Sequence, residues 1–84
     1  MVYDNPQTRN AGLDVYSPVE KGHDYVMTVD VARGVGEDYS AFIVVDITQF
    51  PHRLVAKYRN NEIKPMLFPN IILDVAKGYN NAWL

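Results

Sequence analysis

Eighty-four residues, 48% hydrophobic and 21% charged, make one globular domain at most, and a chain this short buries only roughly 60–65% of its unfolded surface, so its core is marginal unless something else covers it. With no cysteine the chain can form neither disulfides nor thiolate metal sites, and its apolar runs fall short of the roughly 20 residues that a membrane span needs. The net charge of −2 gives no electrostatic argument for nucleic acid, so a DNA-acting function would have to come from a local site.

The chain opens with Met1-Val2-Tyr3-Asp4-Asn5, which lacks the basic-then-apolar layout of a signal peptide. Residues 1–12, polar and containing Asn5, Pro6, Asn10 and Gly12, read as a linker or disordered arm. Leu13 to Tyr16 reads as a short extended piece, closed by Ser17-Pro18 and Lys21-Gly22. Tyr25 to Ala32 is rich in β-branched and aromatic residues and is expected as a strand, followed by an eight-residue polar loop, Arg33 to Ser40. Ala41 to Thr48 is nearly continuously apolar, as in a strand covered on both faces. In Arg53 to Arg59, Leu54, Ala56 and Tyr58 alternate with Arg53, Val55, Lys57 and Arg59, the pattern of an edge strand with one solvated face.

After Pro65 the period changes. Met66, Phe68, Ile71, Ile72, Val75 and Tyr79 recur at helical spacing, which predicts a helix over 66–78 that begins near Pro65 or Pro69 and stops at Gly78. Asn80-Asn81 then leads into Ala82-Trp83-Leu84, the opening of another strand. The expected fold class is α/β: an antiparallel three-stranded meander, one helix packed on one face, and the start of a fourth strand.

Asp30 is the distinctive polar residue. It lies inside an apolar strand, on the same face as Val26 and Thr28, where a carboxylate is costly unless it is hydrogen-bonded, paired or bound to a metal. The blander account is a cap on the following glycine-containing loop. Gly34 and Gly36 allow the backbone to approach a ligand closely, but a lone G-x-G lacks the third glycine or the lysine of nucleotide loops. Glu37 and Asp38 read as solvated loop acids near enough to Asp30 for one of them to help hold a hard cation. His23 and His52 have no metal-ligand spacing and are expected as exposed loop residues. Asp46 is expected as a turn residue. Arg33, Arg53, Lys57 and Arg59 either meet DNA phosphates or solvate an edge strand. Phe68, Tyr79 and Trp83 read as core.

The string from Tyr25 to Ala41, with Asp30, Gly34, Gly36, Asp38-Tyr39-Ser40-Ala41 and the following Val44-Val45-Asp46, closely resembles the opening of the nuclease domain in phage terminase large subunits. Gly22-His23-Asp24, Phe68-Pro69 and Gly78-Tyr79-Asn80-Asn81-Ala82 fit the same family, so the resemblance spans residues 13–84. It implies a truncated ribonuclease H-like fold, the N-terminal part of a domain incomplete at its C-terminus. It implies an endonuclease that cuts concatemeric double-stranded DNA during genome packaging in the cytoplasm of an infected host cell. Asp30 matches the family's first catalytic, metal-binding carboxylate and Asp38 an acidic loop position near it. The metal is Mg²⁺ or Mn²⁺ in the full domain, bound weakly or not at all by this chain because the family's later carboxylates are not in it. The family's ATPase domain is not in it either, and the isolated chain is expected to be inactive. DNA, the portal and the small terminase subunit are the implied partners.

Two other readings stand beside this one. A nucleotide-binding half-domain of the actin-like and sugar-kinase group has a similar strand order, but Glu37 and Asp38 would repel phosphate. A non-catalytic, self-associating fragment is the other. Loss of the covering strands would expose Met27, Val29, Ile43, Ile72 and Val75, which predicts a homo-oligomer.

Overall fold

The structure is a computed structural model that describes residues 8–10, 12–34, 37–61 and 65–84. Strands β1 (Thr8–Asn10), β2 (Leu13–Val15), β3 (Tyr25–Gly34), β4 (Glu37–Asp46) and β5 (Arg53–Asn60) form one antiparallel sheet in the order β1-β2-β5-β4-β3. A turn of 3₁₀-helix, Pro65–Leu67, runs into helix α1, Phe68–Gly78. None of the described helices is long and apolar enough to cross a membrane.

The meander of β3, β4 and β5, followed by a helix, is the α/β arrangement that the sequence predicts. Its boundaries differ. The stretch expected as an Arg33–Ser40 loop is mostly ladder, with pairs running through Ser40 opposite Val31 to Glu37 opposite Gly34. Polar composition misled here, because an antiparallel hairpin needs only a two-residue turn and keeps forming backbone hydrogen bonds whatever the side chains are. The apolar strand ends at Asp46 rather than Thr48. Residues 8–10, read as part of a linker, form β1 against β2, while residues 1–7 and 11 lie outside the described part.

β5 is not an edge strand: it pairs with β4 on one side and with β2 on the other. Its alternation still has the expected cause, one solvated face, since Ala56 and Tyr58 are buried while Lys57 and Arg59 are exposed. Val55 breaks the alternation and is buried, because the register slips by one residue between Val44 and Val45 and that bulge turns it inward. Alongside β2, Gly12 carries φ +95°, and a Cβ there would come within 2.7 Å of the Arg59 carbonyl oxygen. Only glycine lets the Arg59 amide donate to the Gly12 carbonyl at 3.1 Å in this conformation.

The core lies between one face of the sheet and α1. Tyr25, Met27, Phe42, Val44, Ala56 and Tyr58 supply the sheet side and Phe68, Ala76 and Tyr79 the helix side, with Ile71, Ile72 and Val75 partly covered. Met27, expected among the exposed apolar residues, is 2% exposed; Val29 and Ile43 remain open at 39% and 40%. Phe68 stacks against Phe42 and Tyr58 at ring-centroid distances of 6.2 and 6.0 Å, and Tyr79 meets Tyr25 edge-on at 5.0 Å. Pro69 sits in the first turn, where its missing N–H breaks no helical hydrogen bond.

The helix ends at Gly78, but the left-handed residues that turn the chain are Asn80 and Asn81, both at φ 55°. The Tyr79 and Ala82 amides donate to the last helical carbonyls. Trp83 then pairs with β3 in parallel, opposite Val26: its amide donates to the Tyr25 carbonyl and its carbonyl accepts from the Met27 amide. The expected fourth-strand start is therefore present as this bridge. The Trp83 ring does not join the core, being 69% exposed.

Phe68→Ala is expected to destabilise the fold by about 3–5 kcal/mol, the range for removing a buried aromatic ring, a large share of a small domain's total. Met66→Ala, on a side chain 78% exposed, should change it by less than about 0.5 kcal/mol. Urea denaturation followed by circular dichroism measures both.

Candidate functional site

Two places gather chemistry-bearing side chains, one on each face of the sheet. The first surrounds Asp30. Strand alternation turns Thr28 and Asp30 away from the helix, and the register sets them beside Ile43 and Ala41 of β4 and then Lys57 and Arg59 of β5. These side chains line a shallow groove of about 400 Å³. The exposed carboxylate of Asp30 thus shares its groove with two cations across the ladder. That answers how an apolar strand tolerates an aspartate, because the face it occupies is solvated. β3 is also the outermost strand of the sheet, bridged on its far side by Trp83, rather than a strand buried between two others.

Asp38 stands on β4 with its Cα opposite Arg33, three positions beyond Asp30 along β3. Its side chain, with those of Arg33 and Glu37, lies outside the described part of the structure, as do Val35 and Gly36. His52 is exposed in the β4–β5 connection, and its ring meets Phe50 edge-on at 5.7 Å.

The second place was not singled out in the sequence. Asp46 closes β4 opposite Tyr25, the first residue of β3, and only 6% of it is exposed. One carboxylate oxygen lies 2.7 Å from His23 Nδ1 and the other accepts from the Thr48 amide at 3.0 Å. Glu20 Oε2 lies 3.6 Å from the same imidazole nitrogen. The approach loop is fixed from several sides. The Glu20 amide donates to Tyr25 Oη, and the Asn80 side-chain amide donates to the carbonyls of both Glu20 and His23, each at 3.0 Å. Thr48 Oγ1 accepts from the Asp24 amide at 2.8 Å.

Burial alone would raise the Asp46 carboxyl. Hydrogen bonding from the Thr48 side chain, from His23 and from the Thr48 amide, with the charge of His23, outweighs it and holds the group at about 2. The hydrogen bond to Asp46 raises His23 above its ordinary value, against a smaller opposing effect of burial and the charge of Arg53. Asp46 is thus no bare turn residue and His23 no bare exposed loop histidine. The signal for the pair was present in the sequence as a histidine just before β3 and an acid ending β4. Joining them requires the hairpin register, which residue spacing alone does not supply.

The pair sets a pH dependence. His23, raised when folded, contributes stability that is full below its ordinary value of 6.5 and is lost as pH rises through the raised one. Asp46, lowered when folded, contributes stability present above 3.8 and lost as pH falls toward about 2. Thermal melts across pH should therefore show greatest stability between about 4 and 6.5, and His23→Gln should flatten the alkaline side.

No protein-family model matches the chain.

Proposed function

We propose that this chain is the N-terminal part of a ribonuclease H-like nuclease domain of the terminase large-subunit kind, whose parent activity is metal-dependent cleavage of double-stranded DNA during genome packaging. The observation that carries the reading is the parallel bridge of Trp83 to β3. After three antiparallel strands and a helix the chain returns beside its first long strand, on the edge that β4 leaves open, which is the strand order the resemblance implies. In that register, a residue four positions beyond Trp83 in a longer form of the protein would lie opposite Asp30, since Asp30 follows Val26 by four. The family's next carboxylate belongs on that strand, so two acids from adjacent strands would meet over the groove.

Asp30 supplies one oxygen ligand in this reading, and Lys57 and Arg59 face the phosphates of a bound duplex. One carboxylate between two cations does not fit a pair of divalent ions about 3.5–4 Å apart, which phosphodiester cleavage of this kind uses. Among the described residues of the groove the acid is Asp30 alone, so the chain by itself is expected to bind but not to cut.

The test is a titration followed by amide NMR. A short DNA duplex should shift the amides of Thr28, Asp30 and Ala41, and Mn²⁺ should broaden them weakly or not at all. Shifts in the same groove on adding Mg²⁺–ATP, or none on adding duplex, would overturn the reading in favour of the nucleotide-binding or non-catalytic alternatives. Tight Mn²⁺ binding unaffected by Asp30→Asn would refute the site. Supercoiled plasmid should stay uncut by the chain in Mn²⁺; nicking abolished by Asp30→Ala would show that one carboxylate suffices.

A further inference from the structure

We propose that Glu20, His23 and Asp46 form a binding site for a divalent transition-metal ion of the Zn²⁺ class, separate from the Asp30 groove. One imidazole nitrogen and one oxygen from each of two carboxylates lie within 4.8 Å of one another. Imidazole nitrogen and carboxylate oxygen are both zinc ligands, and three protein ligands with a fourth position left to water is the arrangement of open zinc sites. A tetrahedron with bonds of about 2.0–2.1 Å has edges of roughly 3.3 Å. The two separations from His23 Nδ1, 2.7 Å to Asp46 and 3.6 Å to Glu20, bracket that edge. To admit an ion the His23–Asp46 separation opens by about 0.6 Å and the His23–Glu20 separation closes by about 0.3 Å, and the ion takes the place of the proton otherwise held between Nδ1 and Asp46.

Two independent features favour a built site over an incidental ion pair. Asp46 is a buried carboxylate whose second oxygen is already occupied by the Thr48 amide, so the first oxygen is aimed at the cluster. The loop carrying Glu20 and His23 is held more firmly than their own contact requires. Besides the Asn80 and Tyr25 hydrogen bonds, the His23 amide donates to the Glu20 carbonyl and the Ile47 amide to the Asp24 carbonyl. His23 also lies over the Tyr25 ring, with centroids 6.3 Å apart and planes 29° apart, which limits rotation of the imidazole. Glu20 is the exposed member, with 54% of its side chain open to solvent.

The site does not depend on the nuclease reading. It lies five ladder positions from Asp30, because Tyr25 pairs with Asp46 where Asp30 pairs with Ala41. At about 3.4 Å per residue that is roughly 17 Å, too far for one ion to serve both.

Calorimetric titration of the whole chain with ZnCl₂ tests the site, with CoCl₂ as the visible-absorption probe of a four-coordinate environment. One ion per chain is expected, with a zinc-dependent rise in Tm. Glu20→Gln, on an exposed side chain, should weaken binding at least by the roughly 10- to 100-fold seen when a group that merely orients a ligand is removed, because Glu20 is itself a ligand. His23→Ala should abolish it, while His52→Ala and Asp30→Asn should leave it unchanged. No binding by the unaltered chain at millimolar ZnCl₂ would overturn the proposal. So would binding that survives both Glu20→Gln and His23→Ala, or binding lost in His52→Ala. An Asp30 groove that fails the duplex titration leaves this result untouched.

Discussion

The sheet and the helix meet through three rings, and most of the molecule hangs from that contact. Phe42 on β4 and Tyr58 on β5 stack at 5.0 Å, and Phe68, at the start of α1, lies against both. Because β4 pairs on both sides, its inward residues are covered by neighbours in the sheet as well as by the helix, and Val44 is fully buried. A chain of 84 residues has little apolar surface to spare. With that surface concentrated in one aromatic cluster, the outer face of the sheet is a mixed one, where Thr28, Asp30, Lys57 and Arg59 stand beside Ala41 and the half-open Ile43.

That division explains where the two acidic centres stand. On the outer face, Asp30 is exposed to water and shares a groove with Lys57 and Arg59. On the inner side, Asp46 lies at the rim of the core, where an ionised carboxylate needs donors; His23 and Thr48 provide them. The same residue type, on two strands of one hairpin, is thus exposed in one case and locked in place in the other. Strand parity and distance from the aromatic cluster decide which.

Much of this was legible in the residues. The apolar runs at Tyr25 and Ala41 and the helical recurrence of Phe68, Ile71, Ile72 and Val75 follow from burial periodicity, which local sequence records directly. The length of the β3–β4 hairpin was not, because Arg33 to Ser40 are polar and their ladder is held by backbone hydrogen bonds that have no side-chain signature. The interior place of β5 was hidden too: its far neighbour is a three-residue strand, Leu13–Val15, legible only as a short extended piece with no partner assigned to it. For the candidate sites, the oddity of Asp30 in an apolar strand was visible, whereas the charges beside it depend on cross-strand register. The Glu20–His23–Asp46 group was invisible for the same reason, its members being joined by a pairing between residues 25 and 46.

The bridge between Val26 and Trp83 also bears on how the molecule assembles. β3, β4 and β5 are joined by short connections, so their ladders can zip early at small loop-closure cost. The outer edge of β3 is different: its parallel neighbour arrives only after the whole meander and the helix have been laid down, across 57 intervening steps of sequence, 83 minus 26. Parallel pairing over such a separation is slow to find and rewards the chain last. The Met27 amide, whose acceptor is Trp83, therefore reports the final closure of the fold, while the β3–β4 ladder reports its beginning. In pulse-labelled hydrogen exchange the two edges of a single strand would gain protection at different times.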